Sequence, residues 1–534
     1  MEPPAAVGTG TGGRLRAAEV IGTLCLATDL GMGFPFEHGA LTTVIAMRLA
    51  ACLGVDRETA VQVYYASLLS HAGCTADVHV AAEVFGGSLT EHLNPLMYGS
   101  GRDILTGLVR ALPDPDASGL ARTAQIARRF PRMTRETRPA LVANCEVAGM
   151  LADRVGAPTA VPGLLAYLTE RWDGKSPLRR ASGEAIPVAM RIVHVAVDVA
   201  FQLQIGGTDF ARRVIGDRAG RAFDPWVAVA VTDASSEILK VEEGSSVWRE
   251  ALAAEPEPWL SLDGKQLDLA VAAMGRFADL VSPYHSGHSA GVAELAGAAA
   301  QRCGLDPGGV RTVQRAGHVH DLGRVAVDAA TWGKAGPLNA DEWERVRLHP
   351  YHTERVLSRS ATLAALAPVA GAHHERLDRS GYHRGSPAAD LPLPARILAA
   401  ADLFHAKLEP RPYRPALTRA EAAQTVLAEA RSGRLDPDAA AAVVEAAGER
   451  SPRVMHPCDL TDREIQVVGL LARGLQTKQV ARRLGISVKT ADSHIQNAYG
   501  KIGVSSRAAA TLFAVEHGLL AWGEFPIPGQ QVRT

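Results

Sequence analysis

Two stretches of this 534-residue chain repeat one another in register, and that repeat limits the fold more than any other feature. His38 lies 32 residues before Ser70, and His288 lies 32 residues before His320. The strings around them correspond: Glu37-His38-Gly39 and Leu69-Ser70-His71-Ala72-Gly73 against Gly287-His288-Ser289 and Val319-His320-Asp321-Leu322-Gly323. Further on, Glu170-Arg171-Trp172-Asp173 matches Glu375-Arg376-Leu377-Asp378. Each of those glutamates is followed 17 residues later by a proline (Pro187, Pro392) and 21 residues later by an arginine (Arg191, Arg396). Two ungapped registers, offset by 250 and then by 205, argue for one duplicated helical unit. Two unrelated helical domains in an Ala-rich chain would not be expected to keep both registers.

Helical patterns dominate both copies, so the expected fold class is all-α: two helical bundles followed by a small four-helix domain. At about 150 residues per domain the length admits three or four. Composition breaks place the first bundle at 17–254 and the second at 260–448. A linker at 255–259, around Glu255-Pro256-Glu257-Pro258, separates them, and a second at 449–458 precedes the small domain at 459–523. Residues 1–16 read as a disordered leader and 524–534 as a tail. Hydrophobic residues at 47% and charged residues at 21% exclude wholesale disorder. A net charge of −1 excludes a global field that would draw the chain to nucleic acid or membrane. The six cysteines form no CxxC or CxC pair, which fits a reducing compartment better than a zinc ribbon or disulfide scaffold. The N-terminus lacks a basic start with an apolar stretch. No run of about 18 uncharged apolar residues occurs, and the best candidate, from Val188 to Phe201, carries Arg191, His194 and Asp198. The expected location is the cytoplasm, with no membrane partner.

Histidine is concentrated in the second bundle. His288, His320, Asp321, His349, His373, His374 and Asp402 recur at intervals of 24 to 32 residues, each beginning or following a helical stretch. Such spacing suits ligands projected from successive helices into one interior. Imidazole with carboxylate suits Fe, Mn or Zn rather than Ca or Mg. Asp321 could bridge two ions about 3.5–4 Å apart. The adjacent pair His373 and His374 points in different directions from a helix and could serve different ions. A lone His is more often a surface or capped residue, and His285, His318 and His352 read that way. Asp402 follows the apolar run 397–401, where an acid is costly without a cation or donors.

These residues resemble the HD superfamily of metal-dependent phosphohydrolases. The segment His373-His374-Glu375-Arg376-Leu377-Asp378-Arg379-Ser380-Gly381-Tyr382-His383, with Arg411-Pro412-Tyr413, is similar to the HD-GYP subgroup. The resemblance covers roughly 265–448, and makes the two bundles tandem HD-like domains. It implies hydrolysis of cyclic di-GMP or a similar phosphorylated nucleotide at a centre of two divalent transition-metal ions, Fe or Mn. The implied ligands are His288, His320, Asp321, His349, His373, His374 and Asp402. Asp321 and Arg324 take the catalytic roles, and Arg324, Arg411 and Tyr382 contact substrate. Four positions depart from the family pattern. Arg324 replaces a lysine, and it stays cationic but gives up no proton readily. Arg379 replaces a glycine and His383 a proline, in the loop linked with substrate choice. Tyr284 stands where three-metal members carry Glu, which favours a two-metal site.

Transferred through the repeat, the first copy keeps only His38. Ser70 and His71 stand for His320 and Asp321, Asn144 for His349, Leu168 and Thr169 for His373 and His374, and Val197 for Asp402. Apolar side chains cannot ligate a hard cation, so this copy is expected to hold no dinuclear centre. Asp198, one residue on, would restore one acid if the register slipped. His38, His71, Cys74 and Asp77 could form a separate zinc site, against the plainer reading of buried helix residues. The first copy would then sense a ligand, dimerise, or pack against the active copy.

At the C-terminus, Thr461-Asp462-Arg463-Glu464 is a capping-box pattern. A helix with Ile465, Val468 and Leu471 follows, then a short helix containing Val480, Ala481 and Leu484 and closed by Gly485. Ser487 caps a third, whose apolar stripe is Ala491, Ile495, Ala498 and Ile502. The whole is a helix-turn-helix pattern. From Asp459 to Trp522 there are 8 Lys/Arg against 5 Asp/Glu, a local excess of three positive charges. The segment resembles the LuxR-type DNA-binding domain through Leu460 to Glu464, Ala472 to Leu475, Ile486 to Thr490 and Lys501 to Arg507. Gln476 and Ala491 are departures. Lys489, Thr490, Ser493, Gln496 and Lys501 are the expected contacts to double-stranded DNA, and His494 packs at the helix junction.

Together these readings describe a regulator that binds DNA as a homodimer and takes its input from a phosphorylated nucleotide, cyclic di-GMP or a relative. Two alternatives stand beside it: an inactive nucleotide sensor, and a cyclic-dinucleotide phosphodiesterase targeted to DNA.

Overall fold

The computed structural model describes residues 15–74, 97–114, 116–240, 246–449, 458, 460–472 and 475–504, with a few positions between 507 and 519. Apart from one short strand pair the described elements are helical, as the patterning requires. The principal helices of the first bundle are α1 (Ala17–Gly31), α2 (His38–Cys52), α3 (Arg57–Leu68), α4 (Gly101–Ala111), α5 (Gly119–Arg154) and α6 (Val188–Arg218). The second bundle contains α7 (Gly264–Asp279), α8 (His288–Arg302), α9 (Pro307–Val319), α10 (Ala340–Arg347), α11 (His349–Leu357) and α12 (Leu393–Leu408). The C-terminal domain contains α13 (Asp462–Ala472), α14 (Thr477–Leu484) and α15 (Val488–Ile502).

The repeat governs packing in detail. Each leading histidine starts its helix after a left-handed residue, Glu37 (φ 73°) or Gly287 (φ 81°). A buried aspartate on the preceding helix accepts from the next backbone N–H: Asp29 from Gly39 at 3.1 Å, Asp279 from Ser289 at 3.2 Å. Asp56 and Asp306, again 250 apart, cap α3 and α9 through Thr59 and Gly309. Pro187 and Pro392 are the N-caps of α6 and α12. Arg191 and Arg396 pair with Asp224 and Asp436 at 2.7 and 3.0 Å. Glu170 and Glu375 are buried and accept backbone N–H groups from the loops they close, Arg180 in one case and Arg384 with Ser386 in the other. The 45 residues by which the first copy is longer fall between His71 and Asn144, a span that includes the turn of the α4–α5 hairpin. A small cluster of Leu112 and Met133, flanked by Leu108, Ile126 and Phe130, holds that hairpin together.

One contiguous apolar core runs through both bundles. The start of the chain contributes to their junction. Leu15–Arg16, expected to belong to a disordered leader, instead pairs antiparallel with Ser261–Leu262. The rest of that leader, 1–14, lies outside the described residues. Arg16 also bonds Glu255 at 2.6 Å, and Glu255, inside the expected linker, is buried. α6 is long and apolar enough to cross a membrane by length and composition, but most of its apolar window is buried in this core. Its Asp198 is paired with Arg218 at 2.6 Å and receives Gln202 at 2.9 Å. α6 breaks at Gly207 (φ 73°).

Candidate metal centre and DNA-binding helix

The structure brings all seven of the separated side chains into one interior. His288 begins α8, His320 follows α9, His349 begins α11, His373 and His374 follow the short helix Ala367–Ala370, and Asp402 lies inside α12. Three of the rings are aimed by backbone geometry alone. Nδ1 of His320, His349 and His373 meets the carbonyl three residues earlier: Gly317 at 2.7 Å, Val346 at 2.6 Å and Ala370 at 2.6 Å. A neutral imidazole that donates from Nδ1 carries its lone pair on Nε2. All three therefore present Nε2 inward.

Asp321 stands between two sets of rings. Its Oδ2 lies 2.9 Å from His320 Nε2 and 3.2 Å from His288 Nε2. Its Oδ1 lies 3.3 Å from His349 Nε2 and 3.4 Å from His373 Nε2. Asp402 also spans the site: Oδ1 is 3.2 Å from His288 Nε2, and Oδ2 is 3.8 Å from His374 Nδ1. His288, His320, Asp321 and Asp402 form one compact donor set, and His349, His373 and His374 another. The adjacent histidines, expected to serve different ions, thus fall in the same set, because the chain turns after Ala370 and both rings reach His349.

The donor atoms fit cations. His288 Nε2, His320 Nε2, both Asp321 oxygens and Asp402 Oδ1 are buried and face only one another and the Arg324 guanidinium, with no well-aligned hydrogen bond among them, an arrangement that cations shared among them would satisfy. His349 Nε2 and His373 Nε2 are 3.0 Å apart, and with both Nδ1 atoms donating elsewhere two lone pairs face each other. Ligands about 2.1 Å from a shared ion are separated by roughly this distance. Burial raises the Asp321 carboxyl, but Arg324 and His320 outweigh it and hold the group well below the usual carboxylate range. Asp402 is likewise lowered against burial, by His288 and His320. Burial lowers His373 to about 4 and holds His374 well below its ordinary value, so both rings are neutral and able to ligate.

The surrounding residues differ from expectation in one respect. Arg324 is buried, with Nη1 2.7 Å from Asp321 Oδ2, so a cation does face the centre at this position. Tyr382 packs on His374, with ring centroids 4.6 Å apart. Arg411, expected to hold a phosphate, is already engaged: Nη2 donates to Glu409 at 2.7 Å and Nη1 to the Tyr284 carbonyl. Glu409, which the sequence reading missed, lies 3.1 Å from His288 Nδ1 and 3.2 Å from His405 Nδ1. A carboxylate there fixes the tautomer of His288 and turns its Nε2 inward. The only sequence signal for it was an acid two residues before Arg411. Arg379 occupies a left-handed conformation (φ 66°), the backbone a glycine would favour, so the loop shape survives the replacement.

In the first copy the counterpart positions Ser70, His71, Asn144, Leu168, Thr169 and Val197 line a common, largely apolar cavity. Val197, not Asp198, faces it, so the register has not slipped. His38 packs among Phe34, His71 and Phe201, and its Nδ1 contacts Gln204 at 2.9 Å. Among the described residues this copy holds no cluster of metal-ligating groups. Asp77, the fourth member of the zinc alternative, lies outside them.

In the C-terminal domain Thr461 and Glu464 form the expected reciprocal cap of α13. Gln479 caps Gln476 at the start of α14, Gly485 (φ 64°) makes the turn, and the Ser487 side chain accepts from Thr490 N–H at 3.0 Å. Ala491, Ile495 and Ala498 are buried against α13 and α14. Lys489, Thr490, Ser493 and Gln496 are exposed on the opposite face of α15. Lys501 instead reaches back to Glu464 at 2.7 Å and ties α15 to α13.

Comparison with known proteins agrees with this geometry. Residues 273–439 match the HD domain family, and residues 459–514 match the family of bacterial regulatory proteins of the luxR type. A 3'3'-cGAMP-specific phosphodiesterase 3 of Vibrio cholerae is 27% identical over 437 residues, 80% of this chain and 94% of the relative. A match of that length must include the first bundle as well as the second. The crystal structure of a V. cholerae cyclic GMP-AMP phosphodiesterase, V-cGAP3, superposes with a TM-score of 0.58 at 25% identity, covering 82% of this chain and 99% of that one. The cyclic di-GMP phosphodiesterase response regulator RpfG of Xanthomonas campestris is 38% identical over 129 residues, 24% of this chain and 34% of the relative. The chain is therefore an HD-domain protein with a C-terminal LuxR-type helix-turn-helix domain, related to HD-GYP cyclic-nucleotide phosphodiesterases.

Proposed function

We propose that this chain is a cytoplasmic transcriptional regulator whose second bundle binds and hydrolyses a cyclic dinucleotide at a centre of two Fe or Mn ions. The observation that carries this reading is Asp321, whose two oxygens face two separate histidine sets within 3.4 Å. His288, His320, Asp321 and Asp402 would hold one ion, and His349, His373, His374 and the second Asp321 oxygen the other. Five imidazoles with two carboxylates are a donor set for Fe or Mn. Such a pair would lower the pKa of a bound water and supply hydroxide at neutral pH.

The chain's own residues do the rest. Arg324 offsets negative charge on the phosphoryl oxygens. Glu409 and Arg411 hold His288 in place. Tyr382 covers His374, the one partly exposed ligand. Attack by water breaks one P–O bond of the ring and leaves a linear dinucleotide. The first bundle, 17–254, is a non-catalytic HD-like domain, 260–448 is the catalytic one, and 459–523 docks α15 in the major groove. Binding as a dimer would match the symmetry of a two-half-site operator.

The test uses the full chain loaded with Fe(II) or Mn(II) under anaerobic conditions, with cyclic di-GMP and 3'3'-cyclic GMP-AMP as substrates. Linear product should appear, and His320→Ala and Asp321→Ala should abolish it. Metal-loaded protein that binds a dinucleotide but leaves it intact would remove hydrolysis and leave the sensor reading, which the replacements Arg324, Arg379 and His383 favour.

A further inference from the structure

A series of rings leads outward from the second histidine set. His374 and Tyr382 lie at 4.6 Å with their planes 33° apart, close to stacked. Tyr382 also meets His349 at 6.4 Å. On its outer side Tyr382 meets the Trp343 indole edge-on at 6.2 Å and 70°, and the Arg347 guanidinium lies 5.8 Å from its ring. Trp343 is 47% exposed.

Nothing in the packing of α10 accounts for an indole at that place. The helix is held by the Asn339–Glu342 capping box, and Val346 is its one buried residue. Its other side chains are mostly charged. An isolated exposed apolar side chain needs no explanation. This one is joined through a single ring to two of the candidate ligands, beside a guanidinium, on the side of His374, the one partly exposed member of the seven.

We infer that Trp343, with Arg347 and Tyr382 beside it, is the platform on which a purine base of the substrate stacks while its phosphate reaches the metal centre. The inference rests on the phosphodiesterase reading and adds the base contact to it. Aromatic faces and guanidinium planes hold bases by stacking and cation–π attraction, which are tolerant of sequence and stronger for larger π-faces. Trp343 is a binding residue that makes purine dinucleotides the preferred class.

The test measures binding of cyclic di-GMP, 3'3'-cyclic GMP-AMP, cyclic di-UMP and a 2-aminopurine cyclic dinucleotide to the metal-loaded full chain. The wild type should bind the purine ligands more tightly than cyclic di-UMP and quench 2-aminopurine fluorescence. W343A should weaken purine binding by about ten-fold or more, release the quenching, and act on Kd or KM rather than kcat. W343F should restore most of the affinity. If W343A binds purine ligands like the wild type, or the quenching persists in it, the platform is wrong while the phosphodiesterase reading stands. If the wild type neither binds nor cleaves any of these ligands, the reading beneath it fails as well.

Discussion

Glu409 offers a sharp perturbation because its connection to the centre is a single hydrogen bond. Its oxygens lie 3.1 and 3.2 Å from His288 Nδ1, while His288 Nε2 faces Asp321 and Asp402. Burial raises the Glu409 carboxyl, yet His288 and His405 outweigh it and keep the group ionised well below the usual range. Glu409→Gln leaves an oxygen to accept from Nδ1 and removes the charge. Glu409→Ala removes both and leaves the ring free to turn. Carboxylates that orient a ligating histidine are worth about 10- to 100-fold in metal affinity, roughly 1.4–2.7 kcal/mol. The Gln variant should fall near the lower figure and the Ala variant near the upper. Competition titrations of Mn(II) against a chelator of known affinity give the numbers. His405→Ala, which leaves the Glu409–His288 contact in place, should lose much less. Wild-type affinity in both Glu409 variants, or an equal loss in His405→Ala, would show that the acid does not orient His288.

Two further outcomes follow from other parts of the chain. His194 is buried with its Nε2 on the Tyr167 carbonyl at 2.8 Å, and burial lowers it to about 4. Above about pH 6.5 neither folded nor unfolded chain carries a proton there. Between about pH 6.5 and 4 the unfolded chain gains one and the folded chain does not, so stability falls as pH falls. Denaturant titrations at about pH 7.5 and about pH 5 should show the wild type losing about 2 kcal/mol more than His194→Gln, and parallel losses would contradict the assignment. In the DNA-binding domain, Lys489→Ala should weaken binding to all sequences and lower the salt dependence by about one unit, whereas Gln496→Ala should change base preference. Anisotropy titrations across a salt series separate the two, and a Lys489 variant with an unchanged salt slope would refute a phosphate contact.

Much of this could be read from residue order because the ligands sit at helix ends, where spacing reports position. His288, His320, His349 and the His373–His374 pair each begin or follow a helix, so intervals of 24 to 32 residues already implied one interior. The repeat was readable for the same reason: the prolines that start α6 and α12 and the arginines that pair with Asp224 and Asp436 recur at fixed offsets. What aims the rings left no trace in residue type, since the carbonyls of Gly317, Val346 and Ala370 belong to the backbone. The Arg411–Glu409 pair was not legible because a cation near a phosphate site has two possible partners, and residue order does not show that Glu409 is one of them. The Leu15–Arg16 strand was invisible because its partner lies about 250 residues away and neither segment alternates long enough to declare itself. In the first bundle, by contrast, the substitutions Leu168 and Val197 were informative in themselves, because an apolar side chain cannot be a ligand wherever it points.

The most direct measurement is the metal content of full-length protein purified anaerobically, with Asp321→Ala alongside it. Two Fe or Mn per chain in the wild type, falling to one or none in the variant, is the expected result. A wild-type chain that holds no transition metal after reconstitution, or a variant that keeps both ions, would contradict a centre built across Asp321.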